Sequence, residues 1–307
     1  MSSLNKKVVP KEFIGPFILV TSLFALWGFA NDITNPLVAA FKTVFDDLSN
    51  AQSSTIQFAF YGGYATMAIP AALFIQKYSY KAGVLLGLAL YALGALLFIP
   101  AATTMEFIWF PLSLYVLTFG LAFLETTANP YILSMGDEET ATQRLNLAQA
   151  FNPIGSLLGM FVASKLILAN LSTTKFRNEQ FSIHPEYESM AAGEVNAKID
   201  AALQTAKNLE PTVFAANQVA DIEIIRNPYA ILGIVVLFMF TIFLLKKMPD
   251  TGNRGSHINP MDSAKRLFKN RSWKEGVIAQ TFYVAAQITC WTFIIQYAME
   301  NVSGMTM

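Results

Sequence analysis

Two carboxylates lie inside apolar stretches of this chain, and each is followed by an Asn-Pro pair. Asp32 precedes Asn35–Pro36 in the apolar run Phe13–Phe41, and Glu125 precedes Asn129–Pro130 in a second run. An acid in a lipid-spanning helix is energetically costly, so its presence predicts a function. Because burial disfavours the charged form of a carboxyl group, such an acid can carry a proton near neutral pH. The pattern predicts proton coupling at Glu125 and Asp32; the alternative is a carboxyl group that only ties helices together.

Amide side chains open a later apolar segment. Asn146, Gln149, Asn152 and Ser156 recur about every third residue, which places them along one face of a helix. An amide both donates and accepts hydrogen bonds, so this stripe suits a polyhydroxylated ligand. The alternative is hydrogen bonding between helices.

Tryptophans supply the apolar part of a sugar site. Trp27 precedes Asp32, and Trp291 lies in the last apolar segment with Gln287 one turn before it. Ligand sites are mostly apolar with a few placed polar groups, and an indole can stack on the C–H face of a sugar ring. Helix packing is the alternative for both tryptophans.

The composition is that of a membrane protein. Of 307 residues, 54% are hydrophobic and 14% are charged, against about 25% charged in soluble domains. The net charge of zero gives no argument for nucleic-acid binding, and the single cysteine, Cys290, excludes an internal disulfide. A spanning helix needs roughly 20 mostly apolar residues. The segments that qualify are Phe13–Phe41, Ser54–Ile75, Ala82–Ala102, Phe107–Met135, Leu145–Leu171, Pro228–Leu245 and Gly276–Met299.

The polar segments divide the chain into three predicted parts. Residues 1–245 form a six-span N-terminal half, with an extramembrane segment at 172–226 in which Ala191–Leu209 favours a helix. Residues 246–275 form a basic cytoplasmic linker, and residues 276–307 form one further span. Lysine and arginine gather in the segments that lie inside if the N-terminus is cytoplasmic. Six spans, a linker and one span make an odd architecture, so we expect the chain to be incomplete.

An internal repeat relates the first three spans to the next three. When Asn35–Pro36 is aligned with Asn129–Pro130, the second and fifth spans share a glutamine followed six residues later by a glycine, Gly63 or Gly155. Because three is odd, the second copy must be inverted, and inverted repeats with broken helices around a central site are typical of transporters. Chance recurrence in membrane helices is the alternative. Gly159, one turn after Gly155, indicates close helix packing.

Four strings resemble the L-fucose/proton symporters, which with related glucose/galactose permeases belong to the major facilitator superfamily. They are Leu26–Asp32, Ser79–Gly83, Leu124–Pro130 and Arg144–Asn152. The resemblance implies an all-α fold of twelve spans in two six-span halves that rock around a central sugar site. On that view this chain holds the two inverted three-span repeats of the N-terminal half plus a seventh span, and most of the C-terminal half is missing.

The resemblance also implies roles for individual residues. Glu125 matches the family's central protonation-coupled carboxylate. Gln149 and Asn152 match its sugar ligands on the fifth span, and Trp27 and Trp291 match its aromatic contacts. The predicted substrate-binding set is Trp27, Asn31, Asn35, Asn129, Gln149, Asn152, Gln287 and Trp291.

The first span departs from the family pattern. The family's span-one aspartate falls at Asn35, whereas Asp32 falls where the symporter has asparagine. The acid thus moves by one helical turn and stays on a similar face. The departure leaves open whether Asp32 or Asn35 takes the acid's role.

The predicted function is proton-coupled import of a monosaccharide, most specifically L-fucose, by alternating access. The alternatives are a glucose/galactose permease of the same family and a non-transporting seven-span receptor. Neither H-E-x-x-H nor G-x-S-x-G occurs, so no enzyme is predicted. We expect no cofactor, no metal and no nucleic acid; the expected partners are a monosaccharide, a proton and the lipid bilayer. The predicted location is the inner (plasma) membrane, with a cytoplasmic N-terminus and a monomeric full-length protein.

Overall fold

The computed structural model describes residues 7–45, 48–49, 52, 55–250 and 260–301, and every regular element in these ranges is helical. The predicted all-α class is therefore confirmed. The α-helices are α1 Ile14–Thr34, α2 Leu37–Val44, α3 Thr55–Lys77, α4 Tyr80–Leu96, α5 Phe98–Thr104, α6 Trp109–Leu133, α7 Ala141–Gln149, α8 Asn152–Phe161, α9 Ser172–Ile183, α10 Ala192–Leu209, α11 Pro211–Leu245, α12 Pro260–Lys269 and α13 Arg271–Asn301. A π turn, Val162–Ile167, continues α8.

Within the described residues, six helical stretches are long and apolar enough to cross a membrane, and they correspond to the first six predicted spans. The seventh predicted span corresponds to α13, but the side chains of residues 291–301 lie outside the described set. The tail from 302 to 307 lies outside it as well. The six stretches are Lys11–Thr34, Thr55–Lys77, Tyr80–Thr104, Trp109–Leu133, Glu138–Asn170 and Pro211–Leu245.

The predicted extramembrane segment, 172–226, is largely helical. The helix expected near Ala191–Leu209 is confirmed as α10. The sixth span differs from its predicted start at Pro228, because α11 begins at Pro211 and contains Pro228 within it. Membrane helices tolerate an interior proline when neighbouring groups satisfy the freed carbonyl.

The chain divides into two compact units. One comprises residues 1–175 and 212–255, and the other comprises 176–211 and 256–307. The second unit has a small apolar core of Tyr187, Val195 and Ile199. The predicted boundaries at 245 and 275 depend on where the membrane lies, and they stay a prediction.

Glycines let the helices of the first unit approach closely. A carbon added at Gly155 would lie 1.8 Å from the Ala25 carbonyl oxygen of α1, and one at Gly63 would lie 2.7 Å from Thr118 Cβ of α6. Gly63 and Gly155 are the positions that the repeat aligns. They make equivalent contacts, span two on span four and span five on span one, as an inverted repeat requires. The close packing predicted at Gly159 is also confirmed, with a 2.6 Å approach to the Phe29 carbonyl oxygen.

Among the described residues, three of the six spans are interrupted: the first at Asn35–Pro36, the third at Leu97 and the fifth at Ala150–Phe151. α1 ends at Thr34 and α2 begins at Leu37, so the helix break expected at Asn35–Pro36 is confirmed. The matching pair in the fourth span, Asn129–Pro130, does not break α6, which continues to Leu133. Since Pro130 lies in the last turn of α6, its missing N–H group removes one hydrogen bond near an end that is already open.

Candidate functional site

Glu125 lies half-buried on α6 with two amides beside it. Asn129 Nδ2 donates to the backbone oxygen of Glu125 at 3.0 Å, and Gln149 Nε2 donates to Asn129 Oδ1 at 3.2 Å. The fourth and fifth spans thus bring together three predicted site residues. The Glu125 carboxyl group is not used in either bond, so it remains available to a proton or a ligand.

The fifth span breaks within its amide stripe. A continuous helix was expected, but α7 ends at Gln149 and α8 begins at Asn152. The reason is Pro153, whose missing N–H group cannot bond to the Gln149 carbonyl. Interrupted helices are typical of transporter binding sites, because the break frees backbone groups there. Asn152 Nδ2 donates to the Phe24 carbonyl oxygen at 3.3 Å, which ties the break to the first span.

Tyr64 is a site residue that sequence reasoning missed. Trp27 lies against the Tyr64 hydroxyl, and Tyr64 is within electrostatic range of Glu125. Both Trp27 Nε1 and the Tyr64 hydroxyl are buried, and within the described residues at most a weak hydrogen bond between the two serves them. A buried polar group with no partner costs roughly 1–3 kcal/mol, so a pair that is only weakly satisfied favours a polar ligand beside it. The available sequence signal was that Tyr64 follows the repeat-aligned Gly63.

Asp32 lies on α1, near a second tyrosine of α3. Its Oδ1 accepts a hydrogen bond from Asn35 Nδ2 at 3.2 Å. Tyr61, one turn before Tyr64 on α3, lies within electrostatic range of Asp32. The second span therefore carries one tyrosine for each membrane carboxylate. The bond also joins the position where the resemblance places the family's span-one aspartate, Asn35, to the position where this chain has its acid, Asp32.

Asn31, Gln287 and Trp291 are also predicted to bind the substrate, and the structure shows less about their surroundings. Asn31 lies half-buried on α1, and its carbonyl oxygen accepts the Asn35 N–H at 3.3 Å. Gln287 lies on α13 in the second unit, and the side chain of Trp291 lies outside the described set. Their place in a sugar site stays a prediction. In the part of the chain that the structure describes, no group of three or more His, Cys, Asp or Glu could hold a metal ion.

We expect Tyr64→Phe to weaken sugar binding about tenfold without loss of stability. A hydroxyl that binds a ligand contributes roughly 0.5–1.5 kcal/mol, and deleting one whose protein partner is only a weak bond from Trp27 Nε1 costs the fold little. Sugar affinity is measured by counterflow in vesicles, and stability by thermal unfolding in detergent. The matched control is Tyr115→Phe, since the Tyr115 hydroxyl already bonds to Thr66 Oγ1 at 3.2 Å. Unchanged affinity in Tyr64→Phe would remove Tyr64 from the site.

A sequence profile described as the Major Facilitator Superfamily matches residues 16–178. The chain is 54% identical over 296 residues to the L-fucose-proton symporter of Haemophilus influenzae, covering 96% of this chain and 64% of that protein. It is 29% identical over 288 residues to the glucose/galactose transporter of Brucella abortus, covering 94% of this chain and 59% of that protein.

A solved structure shows the same fold. The crystal structure of the E. coli fucose:proton symporter FucP superposes with a TM-score of 0.72 at 34% identity, covering 96% of this chain and 65% of that one. The chain thus spans somewhat less than two thirds of the length of these relatives. The similarities confirm the predicted resemblance to the L-fucose/proton symporters and the predicted fold.

Proposed function

Because the chain belongs to the Major Facilitator Superfamily, we propose that it takes part in the proton-coupled import of a monosaccharide, with L-fucose as the leading substrate. The observation that carries the proposal is the grouping of Glu125 with the Gln149 amide and the buried polar atoms of Trp27 and Tyr64. An acid, an amide, an indole and a hydroxyl together are what a sugar symporter needs. The 54% identity to a fucose-proton symporter supports the choice of sugar.

In the proposed mechanism the sugar and the proton share one site. The sugar ring stacks on Trp27, while Gln149, Asn152 and Tyr64 bond to its hydroxyl groups. Glu125 takes up a proton from the outside and is neutral while the protein changes from its outward-facing to its inward-facing state, because a charged carboxylate is costly inside the membrane. Release of sugar and proton inside returns the site to its outward-facing state. Asp32, held by Asn35, is a second proton carrier or a sugar ligand.

The same proposal covers the setting of the protein. The six apolar helices make it a multi-pass membrane protein. We place it in the inner (plasma) membrane with a cytoplasmic N-terminus and treat it as monomeric when full length. Gln287 and Trp291 of the seventh span stay proposed sugar ligands on their residue types and the family resemblance alone, and the proposal involves no cofactor.

A glucose/galactose permease is the second candidate. The observation that favours it is the similarity to the Brucella abortus glucose/galactose transporter. The polar groups around Glu125 bond to hydroxyls, which every hexose has, so they do not decide between the sugars. The assay below distinguishes them directly.

Symport predicts that sugar entry consumes external protons. We expect the external pH to rise when L-fucose is added to lightly buffered membrane vesicles prepared from cells that express the gene. Galactose and glucose are tested in parallel, and vesicles without the gene are the control. Alkalinisation with glucose or galactose but not fucose would favour the second candidate. No pH change with any of the three sugars would contradict symport.

A further inference from the structure

An apolar cavity of about 530 Å³ lies between the first, fifth and sixth spans. None of the predicted substrate-binding residues lines it, so it is separate from the sugar site. Most of its wall is aliphatic, as at Leu26, Leu166, Ile231 and Val235. Its volume falls within the roughly 300–1,000 Å³ of ordinary ligand pockets.

The internal repeat explains why this cavity exists. Between the two repeats, α4 of the third span approaches α6 of the fourth at Gly120, where an added carbon would lie 2.3 Å from the Tyr91 nitrogen. The Asn-Pro alignment places Leu26 at the position of Gly120. A leucine side chain keeps the sixth span away from the first where glycine lets the third span touch the fourth. Leu26 itself lines the cavity.

The π turn adds to the opening. Val162 and Leu166 line the cavity, and both belong to the π turn Val162–Ile167 that follows α8. A π turn widens the helix locally and recurs at functional sites. The cavity therefore results from two local features of the sequence, a leucine at a glycine position and a widened fifth span.

One end of the cavity is polar. Spans five and six run antiparallel, so Asn170 and Lys175, late in one, lie beside Asn227, early in the other. The neighbouring Asp221 is buried, and its Oδ1 is engaged by the Ser172 N–H and hydroxyl at 2.8 and 2.9 Å. Lys175 is exposed and lies within electrostatic range of Asp221, but the two form no ion pair in the part of the chain that the structure describes. Its exposed ammonium group can therefore also contact an external anion.

We propose that this cavity binds one anionic phospholipid of the surrounding bilayer. An acyl chain fills the aliphatic part between Leu26 and Val235, and the phosphate group lies at Lys175 near the membrane surface. The aliphatic wall matches an acyl chain, and a cation at one end of the cavity matches a phosphate headgroup. The proposal concerns a lipid site and stands independently of the transported sugar.

Two matched pairs of variants test the site. Ile231 and Ile234 are 63% and 62% exposed on the same helix, but only Ile231 lines the cavity. Lys165 and Lys175 are both exposed, but only Lys175 lines it. The purified proteins are incubated with phosphatidylglycerol or phosphatidylcholine, and the retained lipid is counted by native mass spectrometry.

We expect the parent protein to retain one phosphatidylglycerol. Ile231→Trp fills the cavity and removes the retained lipid, whereas Ile234→Trp does not. Lys175→Gln lowers retention of phosphatidylglycerol about fivefold and leaves phosphatidylcholine unchanged, whereas Lys165→Gln has no effect. Equal retention in Ile231→Trp and Ile234→Trp would overturn the lipid site. Equal effects of the two lysine variants would overturn the assignment of the phosphate to Lys175. Because retention is read without sugar, failure of the transport proposal leaves this result unchanged.

Discussion

Replacing Glu125 with glutamine should abolish sugar accumulation while sugar exchange continues. Glutamine has the shape and hydrogen-bonding capacity of the protonated acid but cannot release a proton. With sugar bound and a neutral side chain at residue 125, the variant still changes between its outward-facing and inward-facing states. Labelled sugar therefore exchanges for unlabelled sugar. Uphill transport stops, because no proton is released inside to drive the cycle forward.

Accumulation and exchange must be measured on the same vesicles. With an imposed pH gradient, the internal sugar concentration in Glu125→Gln should not exceed the external concentration, while counterflow persists. The matched control is Glu106→Gln, since Glu106 is exposed and accepts a hydrogen bond from Trp109 Nε1 at 3.1 Å. Equal loss of accumulation and exchange in Glu125→Gln would assign the residue to sugar binding or structure instead.

Replacing Arg144 should cost more stability than any other single change to a charged side chain described above. Arg144 has 0% exposure, and all of its bonds go to the protein. Its guanidinium donates to the carbonyl oxygens of Ile132 and Leu133 at the end of α6, at 3.2 and 2.8 Å, and to Val8 at 3.1 Å. It also donates to the Asp137 carbonyl oxygen and to Thr140 Oγ1. The positive charge lies at the negative end of the α6 dipole.

Arg144→Met leaves these acceptors without a donor, at roughly 1–3 kcal/mol for each one that water cannot reach. We expect a loss of about 4 kcal/mol or more in the free energy of unfolding. Arg144→Lys should recover little, because an ammonium group cannot reproduce the planar fork of five donors. Thermal and denaturant unfolding in detergent measure both variants.

Arg226→Met is the control for that experiment. Arg226 bonds to Glu223 at 3.3 Å, where the two side chains are 25% and 53% exposed. Exposed pairs contribute at most about 1 kcal/mol, so its loss should be small. If Arg144→Lys unfolds at the parent temperature, the fork of bonds is not what stabilises this end of α6.

Residue type alone located much of the candidate site. An acid in an apolar run is costly enough to stand out, so Glu125 and Asp32 could be predicted without a structure. The Gln149 and Asn152 amides were predicted by spacing, and the structure does hold them beside Asn129 and Phe24. The close packing at Gly155 was also predictable from residue type, since only glycine permits so short a distance to the Ala25 carbonyl oxygen.

Other features depend on three-dimensional neighbours that the sequence does not display. Tyr64 reads as one aromatic residue among many, and only its placement between Trp27 and Glu125 distinguishes it. Arg144 lies in a family string and could have been assigned to ligand binding, yet its donors all go to the fold. The start of α11 at Pro211 was not predicted from hydropathy, because the segment before Pro228 contains polar residues. Such residues are compatible with a helix outside the membrane.

Pro70 and the π turn give the bundle matching points of low bending stiffness. When Gly63 is aligned with Gly155, Pro70 falls opposite Val162, the first residue of the π turn. Pro70 lacks the N–H group that would make one helical hydrogen bond, and the π turn has hydrogen bonds between residues five apart in place of four. Each point lies about two turns from its glycine contact. Because the repeats are inverted, the second and fifth spans can flex at equivalent points towards opposite sides of the membrane, while their contacts to the fourth and first spans hold.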